Sequence, residues 1–350
     1  MQTKILDKMC CPVCQEDLQV EIYEEGERNY NGTKVKEVKS GLLISSVGYI
    51  YTIVDGVPRI QWESFLDYAE FIRQHKKNYE SIKEILLKKY SYVIDKCRKK
   101  NARTKSSFSQ EWGIFNYEQD TTWDLTRESR KKRFIQLLNC KPKELTGKAF
   151  IDIGCGNGVL TSALSEYGLE TFGLDVSRSV DRAYLENKNP NVHFLQGDLQ
   201  YPPFKKETFD IVFSSGVLHH TNNTELSFSI IDKMVKKKGK LYVWLYNPID
   251  SFKHRLYNRL RGITKHIPLK IQYLIYLIFL VPFGLLRERL KGIKRSWRGQ
   301  LIAYLDTFSP EFRYEHVPEE VLIWFLKRDY HKPEVRTHNK FGFGICGTKK

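Results

Sequence analysis

One stretch of the sequence has the composition of a ligand-binding turn. A predicted buried strand at 150–153 leads directly into Gly154, Gly156 and Gly158, and a predicted helix begins at Val159. Glycine permits positive φ and lets a ligand approach the backbone closely. The helix N-terminus offers free N–H groups that bind carboxylate or phosphate. Many strand-to-helix turns contain glycine, so the spacing of these residues has to decide what the turn binds.

The glycine spacing departs from the dinucleotide-binding fingerprint G-x-G-x-x-G/A. That fingerprint requires Gly or Ala where this chain has Val159, and the third glycine falls at Gly158 instead. Asp175 ends the next predicted strand, 21 residues after Gly154, where an acid can accept hydrogen bonds from ribose hydroxyls. Asp198 follows the third predicted strand, within reach of an adenine amino group.

Four segments in this order resemble the class I S-adenosylmethionine-dependent methyltransferases, in particular the type 11 branch that includes the ubiquinone-biosynthesis methyltransferases. They are the glycine loop, Asp175, Asp198 with Leu199, and the fourth strand with its loop at 209–220. The resemblance covers about residues 106–248 and, more loosely, a closing hairpin near 334–348. It implies an α/β fold with a Rossmann-like, seven-stranded, mostly parallel sheet, and S-adenosylmethionine as cofactor.

The same resemblance implies roles for individual residues. Asp152 and the glycine loop would surround the methionine part of the cofactor, and Asp175 would bind its ribose. Asp198 and Leu199 would hold the adenine, and two residues after the fourth strand would line the pocket floor. The residues with an implied cofactor-binding role are Asp152, Gly154, Gly156, Gly158, Asp175, Asp198, Leu199, Ser215 and Gly216.

Two histidines after the fourth strand are candidate catalytic residues. A sulfonium methyl is already activated, so positioning and desolvation can supply most of the catalysis, and no metal is expected. A base is needed only when the acceptor is a hydroxyl or similar group. His219 and His220 titrate near neutrality and could take that proton. The alternative is that they pack the loop.

The first 60 residues resemble the small zinc-ribbon-like module that accompanies or activates some RNA and protein methyltransferases. The resemblance rests on the Cys11–Cys14 pair and on the run YTIVDGVP at 51–58. The module's second cysteine pair is replaced here by Ile44 and Val47. Because a structural zinc site normally has four ligands, we predict a β module that has lost its metal site.

The positive charge of the chain is concentrated in one region. The chain has 350 residues, which suggests about two domains, and a net charge of +16 from 57 Lys and Arg against 41 Asp and Glu. Residues 251–298 carry twelve basic residues and one acid around the apolar run 271–286. As a helix, this 16-residue run spans about 24 Å, short of a roughly 30 Å hydrocarbon core.

We therefore expect residues 251–305 to form a lid over the acceptor site that also touches an anionic membrane surface. The alternative is an internal lid helix with solvated basic ends. Asp306, Tyr314 and His316 are candidate acceptor-pocket residues beyond it, by a looser resemblance to methyltransferases of surface-glycan or lipid-linked biosynthesis. Upstream, the cap segment 107–113 with Trp123 would cover the cofactor or simply pack, and the basic residues near 96–105 are expected to be solvated.

The domain prediction has five parts: the β module at 1–60, a helical linker at 61–105, the cofactor-binding core at 106–250, the lid insertion at 251–305, and a helix with a β-hairpin at 306–350. Seven cysteines are too few for a disulfide scaffold, and the N-terminus resembles neither a signal nor a transit peptide. A cytoplasmic location, peripheral to the inner face of a membrane, is the expectation.

The leading functional hypothesis is methyl transfer to a small-molecule, glycan or lipid-linked acceptor near a membrane. An RNA methyltransferase is the alternative, although the basic residues surround an apolar run rather than alternate with stacking aromatics. A third hypothesis is a non-catalytic partner subunit that keeps the fold. The sequence does not indicate an oligomeric state.

Overall fold

The computed structural model describes residues 1–116 and 126–350, and a single β-sheet runs through its centre. Within those residues the sheet has eleven strands in the order β1-β2-β3-β4-β7-β6-β5-β8-β9-β11-β10. The strands are β1 Leu18–Tyr30, β2 Thr33–Ser45, β3 Ile50–Val54, β4 Val57–Ile60, β5 Ala149–Ile153, β6 Glu170–Asp175, β7 Val192–Gly197, β8 Phe209–Ser215, β9 Val235–Tyr246, β10 Tyr330–His338 and β11 Gly342–Lys349.

Strands β5 to β11 form the predicted α/β methyltransferase fold. Strands β7, β6, β5, β8 and β9 are parallel, and β11 is antiparallel to β9 and β10. The strand order reverses at β5, which lies between β6 and β8. In open α/β sheets, ligands bind beyond the carboxyl ends of the strands at such a reversal.

The four N-terminal strands continue this sheet. Strand β4 pairs in parallel with β7, and the partners are Arg59 with Gln196 and Ile60 with Gly197. The predicted seven-stranded, mostly parallel sheet is confirmed as β5–β11, and β1–β4 of the N-terminal β segment extend it to eleven strands in the described part of the chain. An unpaired β7 edge would leave backbone donors and acceptors unsatisfied, and β4 pairs with them.

Helices cover the faces of the sheet and one end of it. Helix α3 is 35 residues long and contains both the basic residues near 96–105 and the cap segment. The helices are α1 Ser64–Asp67, α2 Ala69–His75, α3 Tyr79–Gly113, α4 Arg127–Leu138, α5 Val159–Leu164, α6 Ser179–Glu186, α7 Thr224–Asp232, α8 Phe252–Thr264, α9 Leu269–Ile275, α10 Val281–Leu290, α11 Trp297–Phe308 and α12 Pro318–Leu326.

Helices α8 to α11 form the predicted lid region. A π-helical turn, Tyr276–Leu280, joins α9 and α10, so Leu269–Leu290 is one helical run of 22 residues. This run is longer than the 16 residues predicted, and by length and composition it could cross a membrane. Its buried face includes Tyr276, Val281 and Gly284, where Gly284 lies against Gln300 and Tyr304 of α11. Only 22% of its most apolar window is buried, so most of this surface is exposed.

Candidate functional site

A large cavity lies beyond the carboxyl ends of the parallel strands. Its volume is about 1160 Å³, above the range of about 300–1,000 Å³ for a pocket that holds one small ligand. One side is lined by the glycine loop and the ends of β5, β6 and β8, and the other side by α8, α10 and α11. The predicted cofactor residues and the predicted lid thus enclose the same space.

The glycine loop requires glycine for two different reasons. Gly154 and Gly156 have φ of 72° and 53° and line the cavity. A Cβ on Gly156 would lie 2.8 Å from the Trp112 ring. Gly158, with φ of 69°, caps α5, and a Cβ there would collide with Phe194. It lies outside the cavity lining, so it shapes the turn rather than the pocket wall.

Asp175 ends β6 as predicted and faces the cavity with acceptor capacity to spare. One carboxylate oxygen accepts from the Gly156 N–H at 2.9 Å, and the other accepts from the Ser177 backbone and hydroxyl at 2.8 and 2.7 Å. A carboxylate has about four acceptor positions, so these bonds fix its orientation and leave one for an incoming hydroxyl. Burial raises the pKa of Asp175.

Asp152 lies at the base of the glycine loop and is fully buried. It accepts a hydrogen bond from the Thr161 hydroxyl at 2.7 Å. Burial raises the pKa of Asp152 to about 7, the Asp175 charge adds to the increase, and Arg130 opposes it. A buried carboxylate whose pKa is raised in this way is expected to be stabilised by a cationic ligand in the cavity.

Asp198 lies in the cavity wall and is already bound by two side chains of α3. The Lys100 ammonium is 2.6 Å from one carboxylate oxygen, and the Asn101 amide nitrogen is 2.9 Å from the same oxygen. The other oxygen accepts from the Gln200 N–H at 2.9 Å. The α3 side chains therefore hold this carboxylate at the cavity edge.

The prediction of solvated basic residues at 96–105 was wrong for Lys100 and Arg103. The side chain of Lys100 is 11% exposed in its ion pair with Asp198. Arg103 donates to three backbone oxygens, those of Thr264, Ile267 and Ser309, and so attaches the lid to α3. Sequence composition alone could not distinguish a solvated basic helix from one in which residues three positions apart, such as Lys100 and Arg103, face the protein interior.

Leu199, Ser215 and Gly216 also line the cavity, at the ends of β7 and β8. Gly216 has φ of 80°, and a Cβ there would meet no atom within 4 Å, so this turn needs the glycine backbone conformation rather than the space. The predicted roles, adenine binding for Leu199 and the pocket floor for Ser215 and Gly216, require these residues to border the cavity, as they do.

The cap segment contributes Glu111, a cavity residue that neither its type nor its spacing distinguishes from its neighbours. Phe108, Glu111 and Trp112 line the cavity from the C-terminal part of α3. Glu111 is 1% exposed, and its Oε2 has no hydrogen-bond partner among the described residues. Burial, followed by the charges of Asp306 and Asp175, raises its pKa well above the usual range. Trp123, the other predicted cap residue, lies outside the described residues.

The two candidate bases differ in what they face. His220 lines the cavity, and its Nδ1 is 2.8 Å from the Phe312 carbonyl oxygen. A carbonyl only accepts, so Nδ1 carries the proton and Nε2 is a free acceptor, buried and without a partner in the described chain. His219 is fully buried behind it, 4.1 Å from the Tyr246 ring, and is not part of the cavity lining.

Of the three predicted acceptor-pocket residues, one lines the cavity and two do not. Asp306 lines the cavity, and Tyr246 donates to it at 3.3 Å. Tyr314 is 42% exposed and donates to the Asn222 carbonyl, and His316 pairs with Glu320 at 3.0 Å. Neither of these two borders the cavity, so only Asp306 stands where an acceptor could contact it.

The N-terminal cysteines do not converge on a metal site in the described residues, where no group of three or more His, Cys, Asp and Glu side chains has metal-binding geometry. The Cys11 sulfur is 3.2 Å from the Tyr51 hydroxyl, and the Cys14 sulfur is 3.8 Å from the Ser46 hydroxyl. Burial raises the pKa of Cys10 to about 12, which disfavours the thiolate that binds zinc. These residues serve as packing and hydrogen-bonding groups in this conformation.

S-adenosylmethionine fits the cavity on the residues present. The orphaned Glu111 oxygen and the raised pKa of Asp152 mark buried acids that a sulfonium or ammonium would compensate. Asp175 has one acceptor position left for a ribose hydroxyl, and the glycine loop allows close approach of a ligand to the backbone. The volume leaves additional space for an acceptor.

Comparison with known proteins identifies the same segment. Residues 151–243 match the family model described as a methyltransferase domain. A ubiquinone biosynthesis O-methyltransferase of Coxiella burnetii is 29% identical over 116 residues, which are 32% of this chain and 49% of that protein. The relative of the same name from Brucella ovis is 28% identical over 109 residues, 30% of this chain and 44% of that protein. The chain spans about half the length of the curated relatives it matches.

Among solved structures, the magnesium protoporphyrin IX methyltransferase of Synechocystis covers 71% of this chain and 100% of its own, with a TM-score of 0.44 and 13% identity. The family match falls on β5 to β9, the strands whose ends hold the glycine loop, Asp175 and Asp198. Residues 151–243 of this chain therefore match a methyltransferase domain, at the strands that carry the predicted S-adenosylmethionine-binding residues.

Proposed function

We propose that this protein transfers a methyl group from S-adenosylmethionine to a small-molecule, glycan or lipid-linked acceptor at the inner surface of a membrane. The observation that carries the proposal is the shared cavity, which joins the glycine loop and Asp175 to the lid residues of α8, α10 and α11. A cofactor site that continues into a lid-covered space is suited to an acceptor of limited size.

The bound cofactor would supply an electrophilic methyl group on a sulfonium. The chain orients the ligand, excludes water and supplies a proton acceptor. Asp175 and the glycine loop orient the ligand, and the lid covers the reacting region so that water is excluded. For a hydroxyl acceptor, the oxygen would take the methyl group as the methyl–sulfur bond breaks and S-adenosylhomocysteine leaves, and His220 Nε2 would accept the hydroxyl proton. The Phe312 carbonyl holds the ring in the required tautomer.

The exposed lid surface supports a membrane location. Side chains along Leu269–Leu290 remain open to solvent, among them Phe279 at 60%, Phe283 at 74% and Leu290 at 81%. Contiguous apolar surface of this kind marks an interaction site. Basic residues flank it, and each contributes about 1 kcal/mol near an anionic surface. Because the opposite face packs on α11, we infer that the run lies along the surface rather than across the membrane.

The test is incubation of the protein with labelled S-adenosylmethionine and a fractionated lysate. We expect label in the lipid or small-molecule fraction, and we expect Asp175→Ala to abolish it. Label that enters only RNA would replace this proposal with the RNA methyltransferase alternative. No label in any fraction, together with no cofactor binding in calorimetry, would favour the non-catalytic partner.

A further inference from the structure

The acceptor side of the cavity carries an excess of positive charge. In the described chain, nine basic and five acidic side chains line the whole cavity. Three of the acids, Asp152, Asp175 and Asp198, lie at the strand ends on the cofactor side. Residues 251–305 contribute Arg261 and three other basic side chains to the opposite wall, where Asp306 of α11 is the acid among the described residues.

Arg261 of α8 is the most informative of these cations. It is 9% exposed, its Nε donates to the Thr307 carbonyl at 2.7 Å, and one terminal nitrogen donates to the Asn258 side chain at 2.8 Å. No carboxylate of the described residues lies within 4 Å of its guanidinium. Burial, followed by the charge of Arg313, lowers the pKa of Arg261 to about 10. A buried cation without a counter-ion is costly, unless a ligand supplies the anion.

The acids near Arg261 already form ion pairs or hydrogen bonds with other side chains. Glu315 lies 2.6 Å from both the Arg313 guanidinium and His254 Nε2, and Asp306 accepts from the Tyr246 hydroxyl. Arg313 also stacks over Tyr246, with its guanidinium carbon 3.9 Å from the ring centroid. The two guanidinium groups therefore share a wall on which one is paired and the other is not.

We propose that this wall binds a phosphate or diphosphate group of the methyl acceptor, with Arg261 as its main anchor. The wall also includes Arg313, paired with Glu315, and two cations of the lid, Arg287, paired with Glu288 at 2.8 Å, and Lys291. One carboxylate could be satisfied by a single guanidinium, whereas several cations around one space suit a group with two or more negative charges. The planar fork of arginine matches phosphate oxygens in particular.

This inference rests on the proposed function, because the phosphate is assigned to the acceptor. The position supports that assignment. Arg261 and Arg313 both lie close enough to His220 to influence its titration, so the bound group would hold the acceptor next to the proposed base. The phosphate could belong to a lipid or to a soluble nucleotide-linked molecule, and the binding experiment separates the two.

The test measures binding to the full chain saturated with S-adenosylhomocysteine, using three probes: inorganic pyrophosphate, farnesyl diphosphate and uridine diphosphate. We expect saturable pyrophosphate binding that weakens at least tenfold in Arg261→Gln. The matched control is Arg259→Gln, an exposed arginine of the same helix outside the cavity lining, which should bind pyrophosphate as the unsubstituted protein does. S-adenosylhomocysteine affinity reports whether each variant keeps its fold.

If Arg261→Gln does not fold, the double variant Arg287→Gln/Lys291→Gln replaces it. Both side chains are exposed at the cavity edge, so folding should persist while pyrophosphate binding weakens at least threefold. Tighter binding of farnesyl diphosphate than of pyrophosphate supports a lipid source, and tighter uridine diphosphate supports a nucleotide source. Absent pyrophosphate binding, or equal binding in Arg261→Gln and Arg259→Gln, overturns the inference. Intact pyrophosphate binding without any methyl transfer would refute the proposed function alone.

Discussion

At the scale of single residues, the two adjacent histidines have different environments. His220 presents an unprotonated Nε2 to the cavity, whereas His219 is enclosed by Tyr246 and other aromatic rings. Burial lowers the pKa of His220 below its ordinary value of about 6.5. The ring is therefore neutral, and competent as a base, at physiological pH.

We predict that His220→Gln lowers kcat by about 10²- to 10⁴-fold, the usual contribution of a general base, without changing cofactor affinity. In the unsubstituted protein, kcat should decline only as the pH falls through the lowered pKa. The measurement is single-turnover methyl transfer across pH, with His219→Gln as the control. Unchanged transfer in His220→Gln would remove the base assignment.

A second prediction at this scale concerns the proton on Asp152. Its pKa, raised by burial to about 7, means that the carboxyl is partly protonated at neutral pH in the cofactor-free protein. A cationic ligand favours the charged form, so S-adenosylmethionine should release a proton on binding and bind more tightly as the pH rises from about 6 to about 8. Calorimetry at pH 7 in phosphate and in Tris should give different heats.

The pKa of Asp175 is raised as well, so a proton released on cofactor binding could come from either carboxyl. The Asp152→Asn variant separates the two, because it removes the proton of Asp152. The variant should bind the cofactor with heats that depend less on the buffer, and the remaining dependence reports the other buried acids of the cavity, Asp175 and Glu111. Equal heats in both buffers for the unsubstituted protein would show that Asp152 does not change its protonation on binding.

Some site residues could be predicted from sequence because strand, loop and acid lie close together along the chain. The glycine loop and Asp175 belong to one β-α-β unit, and the fold brings its strand ends to the same edge. Lys100, Glu111 and Arg261 come from helices far away in sequence. Their approach to the cavity depends on how those helices pack, which hydrophobic periodicity does not encode.

At the scale of elements, the buried strands were predictable and the exposed ones were not. Every residue of β5 is buried, and a short apolar run of this kind is a strong strand signal. Strand β1 alternates half-buried and exposed residues, and many of them are charged. Its sequence therefore lacks the alternating apolar pattern that predicts a strand. Its place in the sheet depends on the hairpin with β2, and the place of that hairpin depends on the β4–β7 pairing.

The continuous sheet predicts that the N-terminal strands unfold together with the cofactor-binding core. Ile60 is fully buried at the junction of β4 and β7. Ile60→Ala should cost about 2–4 kcal/mol of the free energy of unfolding, the range for a large-to-small core substitution. Calorimetry should show one transition at a lower Tm, and bound S-adenosylhomocysteine should raise the Tm of that whole transition.

The control for this prediction is Ile22→Ala on β1, where the side chain is 39% exposed, and it should change stability by about 0.5 kcal/mol or less. Two separate transitions, with only one moved by Ile60→Ala, would mean that residues 1–60 form an independent unit despite the shared sheet.

At the scale of the whole molecule, the net charge of +16 and the apolar lid surface act in the same region. Exposed cations at this surface are screened by salt, with a Debye length of about 10 Å at 0.1 M ionic strength. The buried cofactor side is close to neutral in sequence and is screened much less. Salt should therefore separate membrane binding from cofactor binding.

The corresponding prediction uses vesicles of phosphatidylglycerol and phosphatidylcholine. Sedimentation should show binding that Phe279→Asp/Phe283→Asp weakens by about tenfold or more, since each buried phenylalanine contributes about 1.5–3 kcal/mol. Leu185→Asp, at a 65% exposed leucine of α6 outside the lid, is the matched control and should bind as the unsubstituted protein does.

Raising NaCl from about 0.05 M to about 0.5 M should release the protein from the vesicles, while its affinity for S-adenosylmethionine stays within about twofold. If neither the lid substitutions nor salt changes vesicle binding, the membrane contact lies elsewhere on the protein. If salt weakens cofactor affinity as much as it weakens vesicle binding, the charge acts on the whole cavity rather than on the lid surface.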